Sequence, residues 1–129
     1  MKLGYTIIYV ADVEATIAFY ERAFGLARRF VDLTGQYGEL ETGATALAFA
    51  SHDLGAANLP QGYARAEANS LPLGCEVAFV TEDVAGDFER VVSAGAQAVS
   101  EPKAKPWGQV VAYVRDLNGF VIEICSPVS

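Results

Sequence analysis

The feature that most constrains this chain is that its pattern is written twice. Residues 5–18 and 76–89 align on Asp12-Val13 and Asp83-Val84, and each stretch reads as an apolar strand, an aspartate and then a helix. An aspartate at that point is a natural N-cap, because its carboxylate accepts hydrogen bonds from the first free N–H groups of the helix. Apolar residues then recur at Val13, Ile17, Tyr20 and Phe24, and at Val84, Phe88 and Val91. This is the three-to-four spacing that buries one helical face. Gly25 and Gly95 stand where a left-handed C-terminal cap belongs. Strand-like stretches follow each helix, at 27–33, 37–41 and 45–51 and at 98–100, 109–115 and 120–125, with turns at Gly43 and Asn118-Gly119. A period of this length present twice is a duplicated module and not a solenoid.

The expected architecture is therefore α+β: two tandem strand–helix–strand–strand–strand modules forming a curved, cup-shaped mixed sheet with helices on its outer face. The chain of 129 residues is read as a single domain, with module one at 1–52, a linker at 53–74 and module two at 75–129. The linker is rich in Asn, Gly, Pro, Ala and Ser, lacks a clear period, and reads as a connection and lid over a site. A net charge of −7 argues against nucleic acid and anionic membrane as partners, since both reward basic surfaces. No stretch has the pattern of a secretory signal or the roughly 18 apolar residues of a membrane span. The two cysteines, Cys75 and Cys125, form neither a zinc nor a redox motif and are expected to be buried, reduced thiols of a cytoplasmic protein.

Strand alternation divides each strand into two faces. In the first strand Tyr5, Ile7 and Tyr9 oppose Thr6, Ile8 and Val10; its counterpart sets Glu76, Ala78 and Val80 against Val77 and Phe79. The final strands give Gln109, Val111, Tyr113 and Arg115 on one face, and Val121, Glu123 and Cys125 likewise. The wholly apolar faces should meet the helices. The mixed faces suit the wall of a ligand cup. Glu123 is the sharpest candidate, a carboxylate in mid-strand among apolar residues, where burial without a partner is costly. It reads either as a base or ligand facing the cup, or as a solvated strand position or the partner of Arg115. If Glu76 faces the same concavity and not water, repulsion and desolvation would raise at least one of the two pKa values, or a cation would neutralise both.

These segments resemble the vicinal oxygen chelate superfamily of glyoxalase I, bleomycin-resistance proteins, fosfomycin-resistance enzymes and extradiol dioxygenases. The residues that carry the likeness are 9–26, 116–124 and Pro106-Trp107-Gly108. The resemblance implies a homodimer with cups formed by paired modules. It also implies a metal held by a His on the first strand and a Glu on the last strand of each module. Here Glu123 matches the second-module Glu, but Glu76 stands at the second-module His position and Tyr5 at the first. The first-module carboxylate falls near Leu47 and Ala48, which cannot bind a metal. Glu39 or Glu41 could substitute only by reaching the cup from the neighbouring strand, and His52, the sole imidazole, is expected as a solvated residue at a strand end. No cofactor is expected; a divalent metal, if present, would use Glu76 and Glu123, as a hard cation.

Two functions follow from the resemblance, beside a purely structural or interaction module, which an all-polar solvent-facing sheet would favour. One is a metal-free binding protein that holds a small cationic or aromatic molecule with Tyr5, Tyr9, Glu76, Trp107, Val111, Val121 and Cys125. The other is a metal-dependent glyoxalase-like lyase, isomerase or dioxygenase using Glu76 and Glu123, with Tyr113 as a proton donor. Whether the chain is an enzyme stays open at this point.

Overall fold

The computed structural model describes residues 1–128. The order is β1 (Tyr5–Val10), α1 (Val13–Phe24), β2 (Ala27–Val31), β3 (Tyr37–Glu41), β4 (Ala46–Ser51), α2 (His52–Asn58), β5 (Glu76–Val80), α3 (Val84–Ser93), β6 (Gln97–Ala104), β7 (Val110–Arg115) and β8 (Val121–Cys125). The fold is α+β, and each module builds its own four-stranded mixed sheet, ordered β1-β4-β3-β2 and β5-β8-β7-β6. In each the first strand runs parallel to the last, and the remaining pairs are antiparallel. The chain divides into two compact units, residues 1–65 and 66–129.

Helices α1 and α3 start as their aspartates dictate. Asp12 Oδ1 accepts from the Ala15 amide at 2.9 Å, and Asp83 Oδ1 from the Gly86 amide at 3.0 Å. Gly25 closes α1 in the left-handed conformation, φ 68°, donating its N–H to the Glu21 carbonyl. α1 lies on one face of its sheet: Val13, Ile17 and Tyr20 are buried with Ile8, Val10, Leu40 and Phe49, and the Tyr20 and Phe49 rings meet at 4.9 Å. Gly38 of β3 leaves the room that Val13 and Ile17 fill, since a Cβ there would lie 3.2–3.3 Å from their side chains. In the second unit Val84 and Val91 of α3 are buried along with Val114, Ile122 and Ile124.

Three expectations change. The start of the supposed linker is helical: α2 begins at His52, capped by the Ser51 hydroxyl, which accepts from the Leu54 amide. His52 is thus the first residue of a helix and not a strand-end side chain, and its Nδ1 lies 2.6 Å from the Tyr63 hydroxyl. β6 runs over eight residues where three were expected. Pro102 and the charges beside it weaken the strand pattern, yet β6 is an edge strand and Pro102 falls in its register break between Ser100 and Lys103, both settings in which a sheet tolerates a missing N–H. No helix among the described residues is long and apolar enough to cross a membrane.

Candidate functional site

The parallel pairing of β5 with β8 sets Glu76 beside Val121 and Ala78 beside Glu123, while β7 sets Tyr113 beside Glu123 and Val111 beside Cys125. Paired residues share a face, so Glu76, Tyr113, Val121, Glu123 and Cys125 project from the side of the sheet opposite the one that meets α3. An open cavity of about 350 Å³ lies on this side, lined by Leu73, Gly74, Cys75, Glu76, Tyr113 and Val121. Glu123 joins it through Tyr113, whose hydroxyl donates to Glu123 Oε1 at 2.9 Å.

The electrostatics follow from that packing. The hydrogen bond to Glu123, then burial, then the Glu123 charge push the Tyr113 phenol up to about 12, so it remains a neutral donor at physiological pH. Burial first, and contact with Glu123 second, push the Cys125 thiol up to about 11. The Glu76 carboxyl is raised above its ordinary value by partial desolvation first and by the negative charge of Glu123 second. Neither Glu76 nor Glu123 has an ion-pair partner among the described residues.

The first sheet shows the same ground occupied differently. Tyr5 pairs with Ala46 as Glu76 does with Val121, and Ala48 takes the place of Glu123. Glu39, paired with Ala48, corresponds to Tyr113. It is 6 % exposed and fully engaged: Tyr37 Oη donates to one oxygen at 2.8 Å and Arg29 Nη1 to the other at 3.1 Å. Arg29 also grips Glu41 at 2.7 and 2.9 Å and holds that carboxyl below the ordinary range. Burial and the Glu39 contact raise the Tyr37 phenol further than that of Tyr113.

Arg29 reaches these carboxylates from a bulge. Arg28 pairs with Leu40 and Phe30 with Glu39, leaving Arg29 as the extra residue. The second module keeps the same defect in the same register: Ala98 pairs with Val114 and Ser100 with Tyr113, leaving Val99. Where one copy carries a guanidinium, the other carries an isopropyl group.

Of the residues expected at a site, the structure brings Glu76, Tyr113, Glu123 and Val121 together. Val111 and Cys125 lie on the same face but are buried, at 4 % and 3 % exposure. Trp107 is exposed on the β6–β7 connection, its Nε1–H donating to Gln109. Tyr5 and Tyr9 belong to the first unit; Tyr5 is exposed, and Tyr9 packs on Tyr63 with ring centroids 5.0 Å apart. Cys75 is exposed and lines the cavity, against the expectation of a buried thiol, because it precedes β5 at a sheet edge. Arg115 does not pair with Glu123. It is 8 % exposed and directs its donors to backbone carbonyls of the hairpin and of the 67–70 turn. No periodicity in the sequence signals a contact across 45 residues of chain.

The metal that the resemblance implies does not fit these residues. Tyr5, Ala48 and Glu76 stand at three of its four positions, and Glu39 is consumed by Arg29 and Tyr37. Among the described residues no group of three or more His, Cys, Asp or Glu side chains converges to hold an ion.

Comparison with known proteins accords with the duplicated fold. A glyoxalase-related enzyme from Fulvimarina pelagi superimposes with a TM-score of 0.84 at 23% identity, covering 98% of this chain and 88% of that one. A glyoxalase/bleomycin resistance protein/dioxygenase family enzyme from Burkholderia phytofirmans PsJN gives 0.80 at 23% identity over 100% of both chains. TioX from Micromonospora sp. ML1 gives 0.68 at 23% identity over 98% of both. Among proteins of curated function none matches the chain. The family model for the Glyoxalase/Bleomycin resistance protein/Dioxygenase superfamily matches residues 2–124, and the chain belongs to that superfamily.

Proposed function

We propose that this protein binds a small organic cation, aromatic or planar, on the open face of its second sheet. The reading rests on the contrast between the two copies. In the first, a Tyr–Glu pair is neutralised from within by Arg29. In the second, Tyr113 and Glu76 line an open cavity, Glu123 stands behind Tyr113 as its hydrogen-bond acceptor, and the equivalent bulge position holds Val99. A ligand carrying an amine, amidinium or guanidinium group supplies the charge that the chain does not. Tyr113 orients the Glu123 carboxylate, which with Glu76 supplies the negative charge that meets the cation, and Val121 and Leu73 offer apolar contact.

The test is calorimetric titration of the protein with a panel of aromatic cations, benzamidine and acridinium dyes among them, each beside a neutral isostere. Saturable binding of cations and not of isosteres is expected. A partly desolvated carboxylate–cation contact contributes about 1 kcal/mol, so Glu123→Gln should weaken binding roughly five- to tenfold. Silence across the panel, or equal binding of the neutral isosteres, removes the reading.

A further inference from the structure

We propose that Arg115 is the positioning residue of this site, fixing the rim of the second-module cavity by tying the 67–70 turn to the β7–β8 hairpin. The inference rests on the preceding reading of what the cavity binds, and it concerns how the cavity is held in shape. Arg115 is a nearly buried cation with no carboxylate in an ion pair with it among the described residues. Its Nε donates to the Gly119 carbonyl at 2.8 Å, and its Nη2 donates to the Ser70 and Glu67 carbonyls at 2.8 and 3.0 Å. A planar guanidinium holds several acceptors in fixed relative positions, which a lysine ammonium on its flexible stem does not.

The turn it grips leads directly into the site. Ser70 N–H closes the turn on the Glu67 carbonyl, and Leu73, Gly74 and Cys75 then form half of the cavity lining before Glu76 opens β5. Between them Pro72 has a fixed φ, so a displacement at Ser70 carries on to Leu73. The hairpin side is fitted to the same turn. Gly119 has φ +80°, and a Cβ on it would lie 2.5 Å from the Glu67 carbonyl oxygen and 2.7 Å from Arg115 Nη2. The device belongs to one copy only. The first-module position in the register of Arg115 is Glu41, which is bound to Arg29.

The experiment uses the full chain with Arg115→Met, which keeps the stem and removes the donors, and Arg115→Lys, which keeps the charge and removes the fork. Hydrogen exchange of amides 67–76 should accelerate at least tenfold in Arg115→Met and by less in Arg115→Lys, while β1–β4 amides keep their rates. Binding is then read with two probes: benzamidine, small enough to sit between Glu76 and Tyr113, and a three-ring acridinium dye that extends to Leu73 and Gly74. The dye should lose tenfold or more in affinity in Arg115→Met, benzamidine less than threefold, and Arg115→Lys should restore part of the dye's loss. Equal losses for both probes together with a lowered Tm would show Arg115 to be a fold-stabilising residue only and overturn the proposal. Unchanged exchange at 67–76 would overturn it equally. Wild-type protein that binds neither probe removes the cation reading; the exchange result still decides whether Arg115 holds the rim.

Discussion

Replacing Gly119 with alanine attacks the junction of hairpin and turn from the backbone side, and its cost can be worked in two parts. The first is conformational: φ is +80°, and the left-handed region costs a residue with a Cβ about 1–2 kcal/mol. The second is steric. The added methyl meets backbone, the Glu67 carbonyl at 2.5 Å, which gives way only if the turn moves. Moving the turn breaks at least one hydrogen bond of Arg115, and a bond to a charged donor is worth about 1.5–3 kcal/mol. The sum is about 2.5–5 kcal/mol. Gly25 is the internal control: its φ is +68°, and a methyl added there would meet nothing within 4 Å. Gly25→Ala should therefore cost only the conformational part, about 1–2 kcal/mol. Urea denaturation followed by circular dichroism measures both, and for a slope of about 2 kcal/mol/M the two midpoints should differ by roughly 1 M. Equal midpoints would refute the claim that the 67–70 turn is held against the hairpin.

Three other outcomes are expected. In native protein one thiol should react quickly with an aromatic disulfide reagent and one only on unfolding, because Cys75 is exposed whereas Cys125 is buried with its pKa pushed up to about 11. Alkaline titration followed at the phenolate absorbance should show Tyr113 ionising near 12. A folded-state pKa raised above the ordinary value of about 10 contributes stability that is present below pH 10 and is lost as the pH rises through 12, so Tyr113→Phe should flatten that decline. Glu76→Gln should raise the unfolding midpoint at pH 7, since a carboxyl with a raised folded-state pKa disfavours folding once ionised, and the difference should vanish at pH 3, where both states hold the proton.

The architecture was legible because its signals are local and repeated. Asp12 and Asp83 mark two helix starts, and the strand alternation set Ile8, Val10, Ile122 and Ile124 toward the core, where they are buried. The same alternation placed Glu76, Tyr113 and Glu123 on one face. α2 was hidden by composition, with Gly55 in its middle, although Ser51 followed by Asp53 is a readable helix start; Gly55 is there because Tyr63 packs against it too closely for a methyl group. Arg115 escaped for a different reason. Its face is right but its partners come from the 67–70 turn, and long-range contact leaves no period. The bulges at Arg29 and Val99 escaped too, because one extra residue in an edge strand is visible only when the partner strand's register is known.

Those edge strands have a consequence for how the protein can fail. β2 and β6 each end a sheet. An incoming strand would meet the Arg29 bulge and the Arg28–Glu14–Glu21 ion pairs on β2, and two register breaks, Pro102 and Lys103 on β6. Bulges, proline and lysine at an edge discourage strand addition. Aggregation of a destabilised variant should therefore nucleate from the opposite edges, β1 and β5, where Tyr5, Ile7 and Val80 are exposed and no proline interrupts the backbone. Gatekeeper charges introduced there would slow fibrillation, and the same charges on β6 would change little.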